Sequence, residues 1–227
     1  MSDITVVAVT KNRDWNRIKK FLTSLKEQTH PCDVVIVDYG SEYEYRNVQS
    51  VLISNFESVK YIEVKTNIDI FNKCRALNIG IKSSNTPFIF STDIDCIFSK
   101  NFIEKVVNVL KKEKAVVLCQ KIDLDKEGKK TQIHEPSASG SCIGITKDWI
   151  NKVHGYDETY TYWGREDNDL VDRAVQDGHK LIWITNDVEL LHQWHEPSSQ
   201  QTLNENDMYY KIANKPIIRN PDFWGEL

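Results

Sequence analysis

The stretch Phe88-Ile89-Phe90-Ser91-Thr92-Asp93-Ile94-Asp95 decides how the chain is read. Its apolar start has the continuous hydrophobicity of a strand buried on both faces. It runs into two carboxylates spaced Asp-x-Asp. Side chains at i and i+2 of a strand point the same way, so the spacing predicts that Asp93 and Asp95 converge where the strand leaves its sheet. Hard oxygen donors at a sheet edge suit Mg²⁺ or Mn²⁺, ions that keep coordination positions open for phosphate oxygens. A solvated turn after a strand would carry the same pair. The reading therefore depends on what else the chain brings to that edge.

Upstream, strand and helix patterns alternate. Ile4–Val9 is apolar and β-branched, and Trp15, Ile18, Phe21, Leu22 and Leu25 follow at helical spacing. Val34–Val37 is a second buried strand, ending at Asp38. Val48, Val51 and Leu52 predict a helix, Tyr61–Val64 a short strand and Phe71–Ile81 a helix. Downstream, Phe102, Ile103, Val106, Val107 and Leu110 mark another helix. Repeated β-α-β predicts an α/β fold with a mainly parallel sheet flanked by helices. Ligands of such sheets sit beyond the carboxyl ends of the strands. Thr10, Asp38, Asp93 and Asp95 all fall at those ends.

The second half changes character. Val116–Leu118, Leu181–Ile184 and Val188–Leu191 read as strands, and Leu170, Val171, Ala174 and Val175 as a helical stripe stopped at Gly178. Asp123–Lys130 is polar and turn-rich and reads as a loop. Ile133–Ser141 has the Ser/Gly content of a loop able to close over a bound molecule.

Composition narrows the function classes. The 227 residues carry 29 basic and 33 acidic side chains, a net charge of −4, which gives no overall field for nucleic acid. The 5 cysteines are scattered without a Cys-x-x-Cys pair, so neither a disulfide framework nor a zinc ribbon is expected. Cys142 reads as a packed small core residue. No basic leader precedes the first strand, and no window approaches the ~20 apolar residues of a membrane span. A cytoplasmic protein is expected, with peripheral membrane contact left open.

Three further segments carry chemistry. Tyr160-Thr161-Tyr162-Trp163-Gly164-Arg165-Glu166-Asp167 places an aromatic lead-in and a glycine before two carboxylates that open a helix. Carboxylates favour a helix N-terminus for electrostatic reasons alone. Beside Tyr160, Tyr162 and Trp163, which offer faces for a sugar ring, one of them is also placed to accept a hydroxyl proton. His192-Gln193-Trp194-His195 follows an apolar strand, and one or both imidazoles would complete a metal shell begun by Asp95. The remaining histidines, His30, His134, His154 and His179, have no such context. On a helix, Asn72, Arg75 and Asn78 share a face suited to a diphosphate or nucleotide.

Together these segments resemble the GT-A glycosyltransferases of the family-2 type. The nearest groups are β-1,4-galactosyltransferases, chondroitin-polymerase-type transferases and polypeptide N-acetylgalactosaminyltransferases. Thr10-Lys11-Asn12-Arg13 is similar to the element whose arginine contacts the nucleotide. Phe71-Asn72-Lys73-Cys74-Arg75-Ala76-Leu77-Asn78-Ile79-Gly80 resembles the Phe-Asn-x-x-(Arg/Lys)-x-x-Asn-x-Gly helix. Phe90–Asp95 resembles the metal motif, and Trp163-Gly164-Arg165-Glu166-Asp167 the Trp-Gly-Gly-Glu-Asp motif, with Arg165 in place of its second glycine. The resemblance spans roughly residues 4 to 196.

It implies a single GT-A domain over 1–227, with residues 1–100 as the nucleotide-binding half, 101–196 as the acceptor and catalytic half and 197–227 as a C-terminal tail. It implies a UDP-sugar donor of the hexose or N-acetylhexosamine class and a glycan, lipid-linked or protein acceptor. Thr10, Arg13, Asp38, Asn72, Arg75, Asn78, Asp93, Trp163 and Gly164 would hold the nucleotide sugar, with Asp38 on the uridine and Asp93 on the ribose or in the metal shell. Asp95, Asp93, His192 and His195 would be the metal set. Asp167 would be the general base, with Glu166 holding the acceptor or the helix turn. An aspartate at 167 favours inversion. The N-acetylgalactosaminyltransferases imply retention as the alternative. A non-catalytic nucleotide-sugar-binding module and a nucleotidyltransferase are the other classes. The latter lacks its Gly-rich phosphate loop here.

Overall fold

The structure, a computed structural model, describes residues 2–54, 56, 58–66, 70–135, 142–196, 203–212 and 215–226. The first half alternates as predicted: β1 (Ile4–Thr10), α1 (Trp15–Lys26), β2 (Asp33–Tyr39), α2 (Tyr43–Ile53), β3 (Val59–Val64), α3 (Lys73–Ser83) and β4 (Phe88–Asp93). Asp14 starts α1 by accepting from the Asn16 and Arg17 backbone amides at 2.7 and 3.3 Å. That satisfies donors which have no partner within the helix. Ile18, Phe21, Leu22 and Leu25 are buried along one face of α1, as their spacing requires.

The second half holds β5 (Cys96–Phe98), α4 (Phe102–Leu110), β6 (Ala115–Leu118), β7 (Lys121–Leu124), β8 (Lys130–Ile133) and β9 (Ile143–Thr146). These are followed by α5 (Lys147–Lys152), α6 (Glu166–Gln176), β10 (Lys180–Trp183), β11 (Leu190–His192) and α7 (Leu203–Tyr210).

Among the described residues the main sheet has the order β10-β6-β9-β4-β1-β2-β3. Its pairs are parallel except those of β9, which runs antiparallel to β4 and β6. The predicted mainly parallel α/β fold is therefore the observed one. Alternate residues of β1 enter different apolar clusters, Val6 and Ala8 on one face, Val7 and Val9 on the other. Helix α3 lies close on the sheet through Gly80, where an added Cβ would come 2.4 Å from the Val7 side chain. Strands β2 and β3 lie to one side of β1 and β4 to the other. The strand order thus reverses between β1 and β4, where open α/β sheets bind ligands.

A smaller sheet, β5-β11-β7-β8, sits beside the end of β4. Its register matters for function: His192 pairs with Cys96 across the antiparallel β11/β5 pair and with Asp123 across the parallel β11/β7 pair.

Several expectations need correction. Strand β4 ends at Asp93 and the chain turns before β5, so Asp95 lies in the turn and not on the strand. The same-face argument for Asp93 and Asp95 fails there, because alternation holds only while the backbone stays extended. The Asp123–Lys130 stretch is not a plain loop: Asp123 and Leu124 belong to β7, and Lys130 opens β8. The sequence pattern does not mark β5, β8, β9, α5 or α7, and Ile133, read as the start of a loop, ends β8. The Ser/Gly-rich stretch 136–141 lies outside the described residues. All five cysteines are free thiols, and Cys142 is buried in the core as expected. Among the described residues no helix is long and apolar enough to cross a membrane.

Candidate active site

The turn after β4 and the end of β11 bring Asp95, His192 and His195 together. One ligand atom from each lies within 4.8 Å of the others. His192 Nε2 is 3.5 Å from Asp95 Oδ1, and His195 Nε2 is 3.5 Å from Asp95 Oδ2. Asp95 is only 3% exposed, and its Oδ1 has no hydrogen-bond donor among the described residues. Burying a carboxylate oxygen unmatched is costly, so such an atom marks a site built for something else to bind it.

Backbone contacts fix the geometry. Gln193 N donates to Asp95 O at 3.0 Å, extending the β5/β11 ladder past His192. Helix α1 then grips the segment: Arg17 donates to the Trp194 carbonyl and Gln193 to the Arg17 carbonyl, both at 3.1 Å. Behind His192, Nδ1 lies 3.0 Å from Asp123 Oδ1, and His134 Nε2 lies 2.8 Å from Asp123 Oδ2. Burial would raise the Asp123 carboxyl, but the hydrogen bonds from His134 and His192 outweigh it and hold its pKa below the usual carboxylate value. The sequence pattern puts Asp123 in a loop and gives His134 no metal context. The Asp123-to-His134 spacing carries no motif, and only the hairpin and the β7/β11 register join them.

Asp93 is not in this cluster. Lys73 Nζ stands 2.9 Å from its Oδ1, and Lys121 Nζ stands 3.8 Å from Oδ2. Two cations hold it, outside the group formed by Asp95, His192 and His195. Lys73 also reaches Glu166 Oε1 at 3.2 Å. Burial alone would depress the Lys73 ammonium, yet Asp93, Asp167 and Glu166 outweigh it and hold its pKa well above the ordinary lysine value. Burial would depress Lys121 on β7 as well, but Asp93 leads the interactions that raise it. Nothing in the sequence pattern singled out these lysines.

Glu166 and Asp167 are both buried in the first turn of α6. Glu166 Oε2 accepts from Gly164 N at 2.9 Å, so this carboxylate is divided between Lys73 and the turn before its own helix. That turn is tight. Tyr162, Gly164 and Arg165 have φ of 57°, 109° and 71°. Arg165 thus adopts the left-handed region where the resembled motif carries glycine, at a cost of roughly 1–2 kcal/mol. Helix α7 braces the turn: Asn206 Nδ2 donates to the Thr161 and Trp163 carbonyls, each at 3.0 Å, and Arg165 pairs with Asp207. Tyr162 and Trp163 are 41% and 49% exposed and offer open aromatic faces. Tyr160 does not join them. It is buried against Tyr209, ring centroids 5.1 Å apart.

The expected nucleotide contacts divide. Thr10, at the end of β1, is buried with its hydroxyl unmatched among the described residues. Arg13 is half-buried just beyond it. Asp38 is fully buried. It accepts from Ser41 N at 2.9 Å and from the Tyr61 hydroxyl at 2.5 Å, one donor on each carboxylate oxygen. Asn72 and Asn78 turn to the protein itself. Asn72 is the N-cap of α3, not a face residue: it accepts from Arg75 N and donates to the Glu158 carbonyl, both at 2.8 Å. Asn78 donates to the Tyr156 carbonyl and to Glu158 Oε1 and accepts from Tyr156 N. Both amides are spent on the 156–158 loop. Arg75 reaches the Glu226 carbonyl at 3.2 Å.

Fold and site together define an α/β protein with a cation-ready corner at the carboxyl edge of a parallel sheet. Residues 5–166 match the model of Glycosyl transferase family 2, and the chain belongs to that family. No curated protein sequence matches it. Among solved structures it is similar to GalNAc-T7 with UDP, GalNAc and Mn²⁺, at TM-score 0.73 and 16% identity over 92% of this chain and 47% of that one. It is also similar to Staphylococcus aureus TarS 1-349 in complex with UDP-GlcNAc, at TM-score 0.70 and 15% identity over 89% of this chain and 61% of that one. At such identities the likeness speaks for the fold, which is GT-A. The chain spans about half the length of the GalNAc-T7 structure.

Proposed function

We propose that the chain transfers a hexose or N-acetylhexosamine from a UDP-sugar to a hydroxyl acceptor (a glycan, a lipid-linked sugar or a protein), with inversion. The observation that carries this is the convergence of Asp95, His192 and His195 at the sheet edge of a family-2 chain. Solved neighbours holding UDP, UDP-GlcNAc and Mn²⁺ support it.

The donor set fits a divalent cation: one buried carboxylate with an unmatched oxygen and two imidazoles. Two nitrogen donors favour Mn²⁺ over Mg²⁺, which prefers an all-oxygen shell. Asp95, His192 and His195 would hold it. When bound, the ion supplies Lewis-acid stabilisation of the charge that grows on the departing diphosphate.

The protein's own groups do the rest. Thr10 and Arg13 lie at the β1 edge, where the nucleotide would enter. Asp38 shapes the end of β2 by holding Ser41 and Tyr61. Trp163 presents its open face to the donor sugar, and Tyr162 offers a second exposed ring beside it. Asp167 takes the acceptor proton as the hydroxyl oxygen attacks the anomeric carbon. Glu166 keeps the turn and Lys73 in place, so that Asp167 stays aimed. Backside attack assisted by one carboxylate inverts the anomeric centre, a reading that rests on aspartate at 167.

The deciding experiment is a thermal-shift and turnover screen of nucleotide sugars with and without Mn²⁺. Stabilisation by a UDP-sugar that requires the metal, with product of inverted anomeric configuration by NMR, is the expected result. No metal-dependent donor binding in any combination would overturn the proposal.

A further inference from the structure

We propose that Asp123 and His134 form an outer arm of the metal centre, setting the tautomer and aim of His192. This deepens the metal-site reading above and rests on it.

Sheet register places the first link. His192 on β11 lies opposite Asp123 on the parallel strand β7, and its Nδ1 is 3.0 Å from Asp123 Oδ1. An ionised carboxylate only accepts hydrogen bonds, so Nδ1 must carry the ring proton. In the neutral ring Nε2 then keeps its lone pair, and Nε2 is the atom 3.5 Å from Asp95 Oδ1. The second link fixes Asp123 itself. His134 Nε2 lies 2.8 Å from Oδ2, so the carboxylate is held at both oxygens and cannot rotate away from His192. His134 is anchored in turn, its N–H on the Lys121 carbonyl and its own carbonyl on Gln120 Nε2, each at 2.9 Å.

Ligating histidines commonly donate their second N–H to a carboxylate, which orients the ring and strengthens it as a donor. Here that carboxylate comes from another strand of the same small sheet, and a further imidazole holds it in place. Structural ballast is a poor alternative. The three side chains are partly exposed (20 to 32%), and exposed pairs contribute little to stability.

The test uses the full chain in four forms: wild type, Asp95→Ala, Asp123→Ala and Asp123→Asn. Mn²⁺ affinity is measured by calorimetry, and the His192 tautomer by long-range ¹H–¹⁵N NMR on the metal-free protein. Asp123→Ala is expected to weaken Mn²⁺ binding by about 10–100-fold while the metal-free melting temperature stays close to wild type. Asp123→Asn, which keeps an acceptor for Nδ1–H, is expected to recover part of that loss. The wild-type spectrum is expected to show the Nδ1–H form of His192, and Asp123→Ala a mixture. Should Asp123→Ala fail to fold, His134→Gln replaces it with the same readouts and a smaller expected loss. Unchanged Mn²⁺ affinity in Asp123→Ala, or an Nε2–H tautomer in wild type, would overturn the inference while leaving the metal site intact. Unchanged affinity in Asp95→Ala would instead overturn the metal site on which it stands.

Discussion

Lys73 and Glu166 lie 93 residues apart in sequence, and their charged atoms meet at 3.2 Å inside the protein. The same ammonium holds Asp93 at 2.9 Å. One buried cation therefore ties the strand before the metal corner to the helix that carries the proposed base. Lys73→Met would leave Glu166 buried without its counter-charge, and breaking such a pair costs about 3–5 kcal/mol. Urea unfolding is expected to show that loss. An effect below ~1 kcal/mol would mean that solvent screens the pair.

The pH dependence of that loss has a defined sign. The folded pKa of Lys73 is raised above its unfolded value. Its contribution is then fully present below the unfolded lysine pKa of about 10.4, and it fades only as pH rises through the still higher folded value. The stability difference between wild type and Lys73→Met is expected to stay flat from about pH 6 to 9. A difference that shrinks on moving from pH 7 to pH 9 would contradict the assignment of Lys73 as the buried, paired cation.

Asp167→Asn removes the proposed base while keeping nearly the same shape. Turnover is expected to fall by about 10²–10⁴-fold, the usual contribution of general base catalysis. UDP affinity is expected to stay at the wild-type value. Steady-state kinetics beside UDP calorimetry separates the two, and an unchanged kcat would remove Asp167 from the chemistry.

Trp163 is half-exposed on a turn braced by Asn206. Trp163→Ala is expected to raise KM for the donor with little change in KM for the acceptor. Because half of the side chain faces solvent, stability should fall by no more than about 1 kcal/mol. A larger effect on the acceptor than on the donor would place this aromatic in the acceptor pocket.

Asn78 separates a structural role from a binding one. Its amide holds Tyr156 and Glu158 from a fully buried position. Asn78→Ala leaves those groups unmatched and is expected to cost about 1–3 kcal/mol in urea unfolding. UDP affinity of the folded variant should be retained. Loss of UDP binding without loss of stability would return Asn78 to the nucleotide site.

Much of the site was legible in the sequence because the chemistry sits in compact segments. Asp95, the two histidines after an apolar run and the Gly164–Asp167 turn each announce themselves within a few residues. What was misread depended on backbone direction. Asp93 and Asp95 were expected to share a face, but extended geometry ends at Asp93. Asn72 and Asn78 were placed on a ligand face, since helical spacing names a face without naming its neighbour. The neighbour is the 156–158 loop.

The sequence by itself determined the parallel α/β architecture and the residue types of a cation site, because hydrophobic period and short-range spacing are local properties of the chain. Only the tertiary structure decided which carboxylate joins the imidazoles and which is neutralised by lysines. Asp95 meets His192 through the β5/β11 register, while Asp93 at the end of β4 meets Lys73 at the start of α3. These pairings, 97 and 20 positions apart in the chain, are set by strand register and packing, and no local pattern encodes them.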